Sequence, residues 1–226
     1  FLWGAGVLSL PALSNAVQTA GYPYRRPKLK ITDVRTAEIR GHGYQLHVRV
    51  YTDLGLVGHG EATDSAQGGV PLVQSFRRCL VGQDPLNIEA LWERIRTGGI
   101  FAGAQGGQYV TALTGVEIAL WDLAGKALGL PIYQLLGGKV RDRIRMYCDS
   151  QTNRADDPGA KEKIQQIRDL GFTAVKTDVD DGADPMRWDR VNWTASNAEI
   201  DNMLRKVRFL RESFDKRVDL AVDMHG

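Results

Sequence analysis

Apolar and polar residues alternate along this chain with two successive rhythms, and each predicts a different architecture. Between residues 30 and 61 the period is two. "KITDVRTAEIR" predicts one strand, and "YQLHVRVYTD" a second with Leu46, Val48 and Val50 on one face and His47, Arg49 and Tyr51 on the other. Asp53-Leu54-Gly55 supplies a turn, and "LVGHGEA" returns as a third strand. From residue 70 the period becomes helical. "VPLVQSFRRCL" is one helix, and "PLNIEALWERIRT" a second with Pro85 near its start. The glycine-rich "GGIFAGAQGG" then leads into a long helix from about Gln108 to Leu128. Its stripe is Leu113, Val116, Leu120, Ala124 and Leu128, and Gly129 and Pro131 end it.

After "GGKVRD" the rhythm is strand, helix, strand. "RIRMYCDS" reads as a strand. Asp157-Pro158 opens a helix to Leu170 with Gly171 as its stop, and "FTAVK" is the next strand. Ser196 and Glu199 have capping-box spacing and open a helix to about Phe214, a helix whose many charges read as a solvated face. "RVDLAVD" is the third strand. This alternation predicts a parallel sheet with right-handed crossovers. Residues 178–195 are expected to form a long loop, a length often reserved for function. Three parallel strands leave exposed edges and little core, and a closed (β/α) barrel needs roughly 200 residues or more. The expectation is therefore a chain cut after the third strand of a barrel.

Composition changes this picture little. The chain has 226 residues, 43% hydrophobic and 25% charged, with a net charge of +2. No basic block recommends nucleic acid as a partner, and a neutral or anionic small molecule is as plausible as anything else. Cys79 and Cys148 have no metal-ligand spacing and read as two buried free thiols, with a structural disulfide as the rival. The opening "FLWGAGVLSLPALSNAVQTA" resembles the apolar and cleavage regions of a twin-arginine export signal, too short for a stable membrane span. Export to the periplasm is the expectation, with a cytoplasmic protein carrying a frayed arm or a buried hydrophobic segment as the alternative. "GYPYRRP" follows as a linker.

The stretch "TALTGVEIALWDLAGKALGLPIYQLLGGKVRDRIRMY" is more specific. With "ALWDLAGKALGLP", "LLGG" and the upstream "YTDLGLVGHGEA", it resembles the mandelate racemase and muconate lactonizing branch of the enolase superfamily. The resemblance covers residues 28–226. It implies an α+β capping domain followed by the first part of a (β/α) TIM-like barrel. The domains would be an export-signal-like segment and linker at 1–27, the capping domain at 28–141, and an incomplete barrel with its first three strands at 142–226. It also implies Mg2+, a small-molecule carboxylate substrate, abstraction of the α-proton to give an enediolate, and homo-oligomers when full length.

Site residues follow from both lines of reasoning. Asp223 closes the third strand, where a barrel places its chemistry, and offers the oxygen donor a hard cation takes. A helix or loop cap is the rival role. The resemblance makes Asp223 a metal ligand. His225 lies two residues on, on the same side, and the "DxH" resembles acid sugar dehydratases of galactonate type, where it would protonate the departing β-hydroxyl. A solvated loop histidine is its rival reading. Lys176, in "VKTD", ends the second strand, but Asp178 stands where the racemase pattern carries a second lysine. This argues against a lysine base. Lys176 is left to hold a substrate carboxylate, or to form a structural ion pair with Asp178 or a neighbouring carboxylate, and Asp178 to pair with it or meet a substrate hydroxyl. His42 and Tyr44, in "RGHGY", are candidates for substrate contact, with a surface hairpin tip as the alternative. "GAQGG" does not follow a strand, which excludes a dinucleotide fingerprint. Trp121 and Asp122 read as packing and helix-surface residues.

The resulting expectation is a Mg2+-dependent dehydratase of a sugar acid, of which this chain is the N-terminal part and inactive alone. The rival readings are a racemase, epimerase or cycloisomerase of the same superfamily, and a non-catalytic truncated chain.

Overall fold

The computed structural model describes residues 26–41, 43–62, 68–150, 157–179, 191 and 194–223. The apolar N-terminal segment, His42, most of the loop at 178–195, and His225 lie outside them. The chain divides into two compact units between Val140 and Arg141.

The first unit is an antiparallel meander covered by helices. Strands β1 (Ile31–Gly41), β2 (Gly43–Thr52) and β3 (Val57–Ala62) pair in that order. As the alternation predicts, Leu46, Val48 and Val50 point inward with Val34 and are fully buried. Helices α1 (Gly69–Leu80), α2 (Ile88–Gly98) and α3 (Gly107–Leu128) cover that face, and a short α4 (Ile132–Leu135) follows. Helix α1 buries Val73, Phe76 and Leu80 at helical spacing. Helix α2 starts at Ile88 rather than beside Pro85. Asp84 accepts the Leu86 N–H at 2.9 Å and the Asn87 N–H reaches the Asp84 carbonyl, which closes a turn ahead of the helix.

Helix α3 lies against the edge strand β3, and two glycines permit the contact. A Cβ on Gly58 would sit 2.0 Å from the Ala119 carbonyl oxygen, and one on Gly60 2.1 Å from that of Gly115. Asp122 is more than the surface residue its place on the helix suggests. Its Oδ2 accepts the His59 N–H at 2.8 Å and the Lys126 ammonium at 2.6 Å, and Lys126 also donates to the Val57 carbonyl. Two groups of an edge strand are thereby satisfied, which protects it from pairing elsewhere. Trp121 packs against the core as expected.

The second unit is a three-stranded parallel sheet, β4 (Cys148–Asp149), β5 (Ala174–Asp178) and β6 (Asp219–Asp223), with α5 (Ala160–Asp169) and α6 (Asn197–Ser213) between the strands. Ile164, Ile167, Val175, Leu210 and Phe214 form its core. Strand β4 has two residues, not the eight of "RIRMYCDS". Its ladder with β5 holds only the pairs Cys148–Val175 and Asp149–Lys176. Arg145 instead spends its side chain on the Thr173 carbonyl and Asp219. Strand β5 runs two residues later than "FTAVK", because Gly171 turns at positive φ and Phe172 goes into the core.

Ser196 and Glu199 form both arms of the predicted capping box. The charges of α6 are not all solvated, however. Glu199 and Lys206 are buried, with Lys206 donating to the Val179 carbonyl at 3.2 Å, and Arg211 gathers the carbonyls of Phe214, Asp215 and Val218. Both cysteines are free thiols but half-buried, and burial pushes the Cys148 thiol above its ordinary range. Among the described residues no helix is long and apolar enough to cross a membrane.

The packing of α3 on β3 yields a prediction. Gly60→Val forces a side chain into the α3 backbone and lowers stability by about 3 kcal/mol in urea unfolding, as overpacking does. Gly98→Ala, where nothing lies within 4 Å of the added methyl group, stays within about 0.5 kcal/mol of the parent.

Candidate active-site face of the parallel sheet

Strand alternation sorts the second unit's residues into two faces. Val175, Thr177 and Val179 are buried and point one way, and Ala174, Lys176 and Asp178 point the other. Parallel pairing sets Asp149 opposite Lys176, and Asp178 opposite Asp223. Side chains of paired residues share a face, so Asp149, Lys176, Asp178 and Asp223 stand together at the C-terminal ends of three strands. In a (β/α) barrel that is where catalytic groups gather.

Lys176 is the hub. Its Nζ donates to Asp223 Oδ2 at 2.7 Å and lies 3.2 Å from Asp149 Oδ2, with the Tyr147 ring 5.9 Å away. The hydrogen bond to Asp223, then that to Asp149, raises its pKa further above the ordinary lysine value. Lys176 is the third residue of β5, not its end as the sequence suggests. The structural ion pair it forms runs to neighbouring carboxylates on both adjacent strands. Asp178 is half-buried and ends the strand. Asp223 closes β6 as predicted.

Asp149 and Tyr147 were not singled out from the sequence. The rule that picks Asp223, an acid at the end of a barrel strand, also picks Asp149 once β4 is known to end there. Asp223 offers the donor chemistry a divalent cation takes. Among the described residues, though, no three metal-ligating side chains gather, and the oxygen facing Lys176 already meets a cation. The described donors therefore do not make a complete metal site.

In the first unit, Tyr44 sits at the β1–β2 hairpin, and its hydroxyl donates a hydrogen bond to Glu38. That bond, with burial and the Glu38 charge adding to it, raises the phenol pKa. Glu38, Arg40 and Tyr44 line a cavity of about 600 Å³ with Gly41, Gly43 and Gly68. Glu38 was missed because its register partner is Leu46, which marks an inward position. Near the turn of the hairpin that position is exposed.

A prediction follows from the Tyr44–Glu38 pair. Ionising the phenol beside a carboxylate costs energy, so Tyr44 titrates above the ordinary value of about 10. The stability this bond contributes is complete below the unfolded-state pKa and is lost as pH rises through the folded one. In tyrosine 13Cζ NMR, Glu38→Gln moves the Tyr44 midpoint down toward the ordinary value and leaves the other tyrosines in place.

Comparison with known proteins identifies the family. Residues 25–137 match the family model of the mandelate racemase / muconate lactonizing enzyme N-terminal domain. A D-xylonate dehydratase of Haloferax volcanii is 39% identical over 198 residues, covering 87% of this chain and 48% of its own length. A D-galactonate dehydratase of Verminephrobacter eiseniae is 34% identical over 200 residues, covering 88% and 49%. The chain thus spans about half the length of the curated relatives it matches. A crystal structure of a mandelate racemase/muconate lactonizing enzyme-like protein from Rubrobacter xylanophilus superposes with a TM-score of 0.79 at 38% identity, covering 88% of this chain and 55% of that one. The chain belongs to the mandelate racemase / muconate lactonizing enzyme family of the enolase superfamily, and carries its α+β capping domain followed by the first part of a (β/α) barrel.

Proposed function

We propose that this chain serves the Mg2+-dependent dehydration of a sugar acid. The observation that carries the reading is the charged face of the parallel sheet, where Lys176 stands between Asp149 and Asp223 at strand ends. The likeness to D-xylonate and D-galactonate dehydratases supports it.

Each residue has a role set by its chemistry. Asp223 is the ligand this chain offers to Mg2+, and the metal, when bound, neutralises charge that develops on the substrate carboxylate. Two carboxylate partners keep the Lys176 ammonium protonated, so it is not the base, and with Mg2+ on Asp223 its charge would be released toward an anion. It holds the substrate carboxylate by charge. A base outside the described residues removes the α-proton. His225, two residues beyond Asp223, then gives its proton to the β-hydroxyl, the C–O bond breaks, and water leaves. The enol so formed becomes the 2-keto-3-deoxy acid by taking a proton on carbon. Asp178 is assigned the role of accepting a hydrogen bond from a substrate hydroxyl, and His42 and Tyr44 are candidates for substrate contact.

The test uses the protein expressed from its complete gene. With Mg2+ it converts D-xylonate or D-galactonate to the corresponding 2-keto-3-deoxy acid, and EDTA abolishes the conversion. His225→Asn lowers dehydration by about 10² or more, the usual worth of a general acid, while exchange of the α-proton into D2O persists. Exchange or inversion at the α-carbon without loss of water by the parent protein overturns the dehydratase reading.

A further inference from the structure

The outward face of the β1–β3 sheet carries an arrangement that the capping role does not use. Register sets Arg35 directly opposite Arg49, and Arg49 directly opposite His59, so three basic side chains form one row across the three strands. Like charges directly opposite each other weaken a sheet, and the acids nearby offset these only in part. Asp33 is shared between Arg35 and the Arg77 guanidinium of α1. Glu61 lies one row further on, opposite His47. Arg49 has no ion pair or hydrogen bond among the described residues. The row lines a cavity of about 300 Å³, with His47 beside it and Ala37 and Ile39 as an apolar wall. That volume is at the small end of ligand sites. Arg35 is already oriented, its guanidinium 4.8 Å from the centre of the Tyr51 ring.

We infer that this face is a binding site for a small phosphate-bearing anion, held by Arg35, Arg49 and His59. Two guanidinium forks match the oxygens of a tetrahedral oxyanion, the imidazole adds an N–H donor, and the apolar wall suits the carbon chain of a phosphate ester. Binding relieves the repulsion along the row and satisfies Arg49.

Histidine-ring NMR of the full chain at low salt, where screening is weak, tests the inference. Titration with inorganic phosphate, and separately with glycerol 3-phosphate, shifts the His59 and His47 ring signals to saturation. Arg49→Gln weakens that binding about tenfold or more. Arg94→Gln, an exposed charge on α2 away from the row, does not. Tighter binding of glycerol 3-phosphate makes the ester the ligand, and tighter binding of inorganic phosphate the free ion; both uphold the site. It is overturned if no shift saturates, or if Arg49→Gln and Arg94→Gln act equally. Saturation by a poly-glutamate peptide, with neither phosphate binding, also overturns it and assigns the face to an acidic protein segment.

Discussion

How closely α3 approaches β3 governs the first unit. Each sheet residue on the buried face must find apolar cover, and here the cover is a helix backbone pressed onto Gly58 and Gly60. Close contact brings Asp122 within reach of the β3 edge, where it takes the His59 N–H and positions Lys126 for the Val57 carbonyl. Packing and polar satisfaction are thus one arrangement. Moving the helix outward would open a gap over Val48 and Val50 and strand two backbone groups. With the sheet held there, the outward side chains keep the register that builds the Arg35–Arg49–His59 row.

In the second unit the same alternation divides labour between faces. Valines and a threonine of β5 go to the helix side, and the charged residues go to the other. The helix side is made rigid by polar means as well as apolar. The capping box fixes the start of α6, Lys206 holds the end of β5 through the Val179 carbonyl, and Arg211 ties the end of α6 to the approach of β6. These contacts fix the ends of the strands that carry Lys176, Asp178 and Asp223. A site needs that support, because its groups act only when their geometry is held.

Local pattern made most of the fold legible. The meander, the long helix with its Gly129 stop, and the capping box all rest on residues close together in sequence. What escaped depends on partners far away. The end of β4 depends on its ladder with β5, which stops at the Asp149–Lys176 pair, so Asp149 could not be recognised as a strand end. Asp122 sits off the apolar stripe of α3 and looks solvated until β3 is laid beside it. Glu199 and Lys206 look like surface charges on a helix until the end of β5 covers Lys206. At the site, Asp223 was legible from its place after an apolar strand. Lys176 was read as the end of its strand, one alternation short of Asp178, because Phe172 reads as strand when it packs against the core ahead of β5.

The most direct test of the account is a crystal structure of the protein from its complete gene with Mg2+ and a sugar acid bound. The account places an Asp223 oxygen about 2.1 Å from the metal, the usual Mg2+–oxygen distance, and turns the Lys176 ammonium from Asp223 to the substrate carboxylate. A metal held without Asp223, with Lys176 still on the two aspartates and the substrate elsewhere, would contradict it.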